Sequence, residues 1–513
     1  MPGASTWQNR VNFLSRLARQ GLRVSPYSFE FMPALRGFST AFFRRPALYC
    51  SLSTALLWWL SGAFNIPPLG WVALFPFFYF LFNPELKRRF RFGWTTGFFC
   101  FFLVNWWIIP TITRGAPSIN APWLLGLFLG FVAVTIIAVV HAFQVGIVAW
   151  QSVRKPLWTP LWCALLWTGL DAMRTVSSIA HGWGALAFSQ SRDLPILQNA
   201  ALFGQHGLTF ACAFVAASLA MGVRTRAKVH FVAPAVLLVA MHLYGAVVLV
   251  INPRIQNGPT VLLVQTNVSS VVKSGNESGE SPFSQAFRLT NAVTRTRKVD
   301  LVVWPETTAD FRTAPPFAGN QTRDLRGLDW SQLTLLGPKN TAFLIGAQER
   351  FQGPDGDARR NDAVLINPGH PTQGRAKERL VPFGERAPFV EWLPFLAILS
   401  PRPECLPGTG ENALPWKEGK IAPVVCFESC FPEPAKRLCR DANLLAVITN
   451  DELFWGTEAP LQHAQMAILR AVENGVPMVQ STNGGVSLAC DAQGRTLADI
   501  PYGKIGAVAV RLP

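Results

Sequence analysis

Between residues 46 and 251 the chain is a succession of apolar runs separated by short polar stretches; after residue 259 the runs shorten and the period changes. Crossing about 30 Å of hydrocarbon takes roughly 20 mainly apolar residues. Seven segments approach that length: 46–64, 69–82, 94–112, 122–150, 157–172, 207–223 and 231–251. Beyond them, residues 260–268, 300–304, 342–347, 422–427 and 444–449 read as short buried strands. Residues 461–473 read as a helix, and 478–481 with 486–491, split by Asn483-Gly484-Gly485, as a hairpin. The pattern predicts a polytopic α-helical domain of about seven spans over 46–251, followed by an α/β layered domain over 259–513.

Composition sharpens this division. Half the residues are apolar and 15% are charged, against about a quarter charged in an ordinary soluble protein. The net charge of +16 would suit nucleic acid if it lay on one face. It does not: the basic residues form short clusters between apolar runs. Arg44 and Arg45 precede the first run, Lys87 to Arg91 separate the second from the third, Arg154 and Lys155 follow the fourth, and Arg224 to Lys228 precede the seventh. The alternate connections, around Ile66-Pro67, Arg114 and Ser177, are poor in basic residues. The positive-inside rule then places the N-terminus in the cytoplasm and everything after Asn252 on the outer side. The Arg-rich segment 1–45 has no apolar stretch of the signal-peptide kind, so it is expected to remain as a basic cytoplasmic segment.

A longer polar connection carries Asp171, Arg174, His181, Arg192 and Asp193, and reads as a structural loop. No spacing of His and Cys resembles a metal site. Three strand ends in the second half do carry reactive side chains. Leu301-Val302-Val303-Trp304-Pro305-Glu306 ends on a carboxylate; Lys377 stands eight residues before Glu385; Val424-Val425-Cys426-Phe427-Glu428 ends on a thiol. The outer part holds Cys405, Cys426, Cys430, Cys439 and Cys490, an odd number, which leaves at least one unpaired within a monomer. Cys430 is the obvious decoy for Cys426.

A free thiol is a few per cent thiolate at neutral pH. Glu306 is expected to take its proton and return it to a leaving group, while Lys377 favours the thiolate and stabilises an oxyanion. The product is an acyl-thioester on Cys426.

Trp-Pro-Glu, then Lys377-x7-Glu385 inside Leu380-Val381-Pro382-Phe383-Gly384-Glu385, then Cys-x-Glu, in that order, resembles the nitrilase superfamily. With the apolar runs upstream the resemblance narrows to the bacterial apolipoprotein N-acyltransferase family. Thr449-Asn450-Asp451, Gln462-His463 and Ser481 to Ser487 extend it. It implies an αββα sandwich on the periplasmic face of the bacterial inner membrane, with Glu306, Lys377 and Cys426 as the catalytic triad. Glu385 and Glu428 match further carboxylates of the family motif, and the resemblance implies that Glu385 orients Lys377 or assists proton transfer and that Glu428 supports the site. It also implies a glycerophospholipid acyl donor, a diacylglyceryl-cysteine lipoprotein acceptor and ping-pong kinetics. No metal or organic cofactor and no nucleic acid are implied, and a monomer is expected. Trp106, Trp107 and Trp123 would suit an interfacial portal.

The sequence departs from the family at Arg375, where an aromatic is usual, near Ser274, and in a longer Asp451-to-Gly456 loop. The family usually carries an eighth span after the catalytic domain, whereas residues 505–512, up to Pro513, are expected to form a strand. Two other readings stay open. One is a membrane-bound nitrilase-family amidase or acyltransferase with another acceptor, such as a conjugative-transfer-associated homologue. The other is a non-catalytic scaffold.

Overall fold

The computed structural model describes residues 46–513 except 153–156, 177–179, 274, 276, 313–322, 325–332, 334–335, 337–339, 354–355, 391, 395–402 and 411. The basic segment 1–45, Arg154 with Lys155, Ser177 and Ser274 lie outside the described residues.

All seven apolar runs contain helix, but not seven uniform spans. Among the described residues, Trp123–Trp150, Ala200–Thr225 and Val229–Ile251 are long and apolar enough to cross a membrane. A fourth crossing is complete if Arg89–Val104 and Ile108–Gly115, bent by 46°, count as one. The break falls at Asn105, whose Nδ2 donates to Phe101 O at 2.8 Å. The second run is two short helices, Pro67–Val72 and Phe75–Leu81, each with proline in its first turn. Proline is tolerated there but cannot continue a preceding helix. The first run forms Pro46–Ala63 and the fifth Thr159–Met173.

The side chains distribute as a membrane requires. Leu124, Phe128, Phe131, Val236, Leu243 and Val247 are exposed, while Gly93, Gly97 and Gly130 let neighbouring helices approach closely. Charged side chains of the polar connection pair with neighbouring groups. Arg174 Nε donates to Asp171 Oδ1 at 2.7 Å, and Asp193 Oδ1 accepts from Ile196 N.

The second half is two sheets face to face. One runs in the order Gly506–Arg511, Thr260–Gln265, Leu301–Val303, Ala342–Gly353, Gly356–Ile366, Gln373–Ala376. The other runs Thr496–Ile500, Ser487–Cys490, Met478–Asn483, Leu444–Asn450, Gly419–Val425, Leu414–Trp416. Their central strands are parallel: Thr260–Gln265 with Leu301–Val303, and Gly419–Val425 with Leu444–Asn450. Alternation along each strand builds the layers. Val261, Leu263, Val303, Ile421, Val425 and Ile448 meet between the sheets. Leu262, Val264 and Val302 face outward onto Ala286 of helix Pro282–Thr294. Ala422, Val424 and Val447 face Leu438 of Pro432–Cys439 and Ala467 of Ala459–Asn474. The order of layers is therefore helix, sheet, sheet, helix.

Candidate active site

Parallel central strands place their C-terminal ends at one edge of the sandwich, and the reactive side chains emerge there. Leu301–Val303 ends in Trp304, which anchors the turn through Nε1 to Thr290 Oγ1 at 2.9 Å. Glu306 follows and is 5% exposed. Gly346 on the neighbouring strand makes room for it, since a Cβ there would lie 2.3 Å from Pro305 O and 2.4 Å from Glu306 Cα. Lys377 directly follows Gln373–Ala376, its N–H donating to Asn361 O at 2.8 Å. Cys426 directly follows Gly419–Val425 and has φ +51°, in the left-handed region that a side chain disfavours.

Lys377, Glu306 and Glu385 meet in one cluster. Lys377 Nζ lies 3.3 Å from Glu306 Oε1 and 3.0 Å from Glu385 Oε1. Asn361 Nδ2 donates to both carboxylates, at 2.5 Å to Glu306 and 3.1 Å to Glu385. Val381 N holds the other Glu385 oxygen at 2.7 Å. Burial alone would lower the Lys377 pKa, but Glu385, Glu306 and Cys426 together hold it well above the usual lysine range. Lys377 is thus a fixed cation. For Cys426, burial and then Glu306 push the thiol well above its ordinary value, and Lys377 offsets only part of this. Burial and Glu306 thus outweigh the push toward thiolate expected from Lys377.

Glu428 does not join that cluster. Its carboxylate accepts from Arg375 Nη1 at 2.7 Å, Arg375 Nη2 at 2.9 Å, Glu378 N at 2.8 Å and Val425 N at 2.8 Å. It ties the strand end before Cys426 to the strand end before Lys377. Cys430 points elsewhere, into the apolar core shared with the membrane half, beside Phe431 and Gly182. All nine cysteines are free thiols.

Two families match the chain. Residues 53–218 match the apolipoprotein N-acyltransferase N-terminal domain, and 255–512 match carbon-nitrogen hydrolase. The apolipoprotein N-acyltransferase of Azotobacter vinelandii is 30% identical over 463 residues, covering 87% of this chain and 85% of that protein. The chain belongs to the apolipoprotein N-acyltransferase family. The Geobacter metallireducens member is 29% identical over 465 residues, with 88% and 86% covered. Among solved structures, a carbon-nitrogen hydrolase superfamily protein from Xanthomonas campestris covers 49% of this chain and 90% of its own. Its TM-score is 0.34 at 17% identity.

Three further polar residues, Asn361, Arg375 and His463, complete the surroundings of these side chains, and sequence reasoning assigns a role to none of them. Asn361 lies on a strand, Gly356–Ile366, that pattern reading did not find, because its first half is charged and polar. Arg375 was noted only as a departure, yet it is fully buried against Glu428. His463 packs beneath Cys426, its Nε2 3.1 Å from Cys426 O. The Gln462-His463 pair inside a run of helical residues was the signal available for it. Trp107, expected at a portal, is instead buried against Trp183 and Phe454 at 4.6 and 5.0 Å between ring centroids.

Proposed function

We propose that this protein transfers an acyl chain from a glycerophospholipid to the α-amino group of a diacylglyceryl-cysteine at a lipoprotein N-terminus, through a thioester on Cys426. The observation that carries the reading is the meeting of Glu306, Lys377 and Cys426 at the strand ends of one sandwich. A fixed ammonium and a carboxylate share a 3.3 Å contact there. Glu306 takes the thiol proton as Sγ attacks the ester carbonyl. Lys377, kept cationic by Glu385, stabilises the oxyanion. Collapse breaks the ester C–O bond, and Glu306 returns the proton to the departing lysophospholipid oxygen. The amine then attacks the thioester, giving an amide and restoring the thiol with the amine's proton. Glu428 and Arg375 hold the two strand ends in register during both steps.

The lipid chemistry explains the membrane half. Acyl chains lose roughly 0.8 kcal/mol per CH₂ group on entering water, so donor and acceptor both reach Cys426 from the bilayer. In this reading the short and bent helices complete seven crossings. Segment 1–45 is cytoplasmic, and residues 259–513 form the catalytic domain on the periplasmic face of the inner membrane, in a monomer. The deciding experiment is mass spectrometry of a lipoprotein N-terminus from cells with and without the protein. Depletion should convert the triacylated form to the diacylated one; an unchanged triacyl mass would refute the assignment.

A further inference from the structure

Helix Ala459–Asn474 puts His463, fully buried, directly under the nucleophile turn. Its two ring nitrogens face acceptors on opposite sides. Nδ1 lies 2.9 Å from Asp451 Oδ1, and Nε2 lies 3.1 Å from Cys426 O and 2.8 Å from Ser429 Oγ. A backbone carbonyl can only accept, so Nε2 carries a hydrogen. Ser429 Oγ spends its own hydrogen on Cys426 O at 2.9 Å, so it too accepts from Nε2. Asp451 Oδ1 also accepts from Thr449 Oγ1 at 3.0 Å, and as a carboxylate it would take a hydrogen from Nδ1 too. With Asp451 ionised, the ring then carries a hydrogen on each nitrogen and is a cation.

We infer that His463 is a positioning residue for the acyl-transfer reaction, an imidazolium paired with Asp451 that holds the Cys426 main chain and cancels a buried negative charge beside the thiol. The inference rests on the proposed role of Cys426 as nucleophile. Burial would lower the histidine's pKa, but the Asp451 charge and hydrogen bond, then the Cys426 carbonyl and Glu306, raise it above the ordinary value. The Asp451 charge also acts on Cys426, in the direction that keeps the thiol protonated.

The other groups facing His463 leave the pair isolated. Trp183, from the membrane half, covers the ring at 5.6 Å between centroids. Arg470, two turns further along the same helix, is occupied by Glu473 at 3.0 Å. The positive φ of Cys426 needs an outside restraint, because strained main chain persists only where its surroundings over-determine it. Two donors on one carbonyl, Nε2 and Ser429 Oγ, supply it.

The test reads Cys426 itself. In the full-length protein in detergent, the rate of iodoacetamide alkylation at Cys426 is followed against pH by peptide mass, which separates it from the other cysteines. In His463→Gln, Asp451 is left unbalanced. The alkylation midpoint should then rise by about one pH unit, slowing the reaction about tenfold at neutral pH. In the double variant His463→Gln with Asp451→Asn the charge is gone from both partners, and the midpoint should return toward the original value. An unchanged midpoint in the single variant overturns the inference. So does a double variant displaced further than the single one, the result expected of purely structural damage. Alkylation needs no lipid, so this result is separate from the acyl-transfer reading. That reading fails instead if unaltered protein with reactive Cys426 forms no thioester from phospholipid.

Discussion

Glu428 is a fully buried charge two residues from Cys426, and its Arg375 partner is equally buried. Breaking one side of such a pair leaves the other uncompensated, at a cost of about 3–5 kcal/mol. Glu428→Gln should therefore lower the thermal midpoint and loosen both strand ends, with thioester formation falling alongside. The pH dependence follows from the direction of its shift. Burial would raise the Glu428 pKa, but Arg375 and the Val425 and Glu378 N–H groups outweigh it and hold it below the usual value. A depressed carboxylate contributes stability above its unfolded pKa, about 4.3, and loses it as pH falls through the lower folded value. Unfolding below pH ~4 should be steeper in the unaltered protein than in Glu428→Gln; parallel acid curves would contradict the pairing. A second contrast separates the two neighbouring thiols. Cys426→Ala should abolish the acyl-thioester seen by mass, and Cys430→Ala should retain it with a modest loss of stability, since Cys430 is packed in the apolar core shared with the membrane half. Glu428 was legible from Cys-x-Glu, whereas its pairing with Arg375 was not. That contact joins residues 53 apart in sequence and depends on how two sheets are stacked, which no local pattern encodes.

At the scale of elements, strands buried on both faces announced themselves as continuous apolar runs. Residues 444–449 were expected as strand and Leu444–Asn450 is one; the predicted hairpin at 478–491 is Met478–Asn483 with Ser487–Cys490, antiparallel. The long hairpin Ala342–Gly353 with Gly356–Ile366 was only half read, because its tip is polar and carries no apolar alternation. Membrane runs were read as uniform for a related reason: hydropathy averages over prolines and over a single polar residue such as Asn105, which is where helices break. Gly346 shows what such small features control. A side chain there would meet main-chain atoms of Pro305 and Glu306, neither of which can rotate away. Gly346→Ala should displace Glu306 by about 1 Å, and displacements of that size can cost about a hundredfold in rate. Thioester formation should fall by that order, and the thermal midpoint should fall with it because the overlap is with main chain. Equal rates would show that the turn carries Glu306 with more slack than its packing implies.

Over the whole molecule, helix Ala459–Asn474 links the two halves. One face packs on the sheet carrying Cys426 and the other meets the membrane helices. Glu458, just ahead of it, accepts through one oxygen from Trp59 Nε1 at 2.8 Å and Trp106 Nε1 at 2.7 Å. Gln465 donates to Gly62 O at 3.2 Å, and Glu473 accepts from Gln205 N at 2.5 Å. The last contact caps a helix end exposed by the kink at Gly204, where φ is +64°. The helix that seats His463 under Cys426 is therefore held by indole and amide groups of the membrane half. Replacing Trp59 and Trp106 together by Phe keeps the aromatic bulk and removes both donors. Hydrogen bonds to a charged group contribute about 1.5–3 kcal/mol each, so the helix should open locally far more often. Amide exchange over residues 459–474 should quicken by about a hundredfold, and acyl transfer should slow, while exchange in Thr260–Gln265, on the opposite sheet, stays as it was. If exchange in 459–474 is unaltered, the membrane half anchors the second half by some other contact, and the Trp59 and Trp106 bonds to Glu458 do not hold this helix in place.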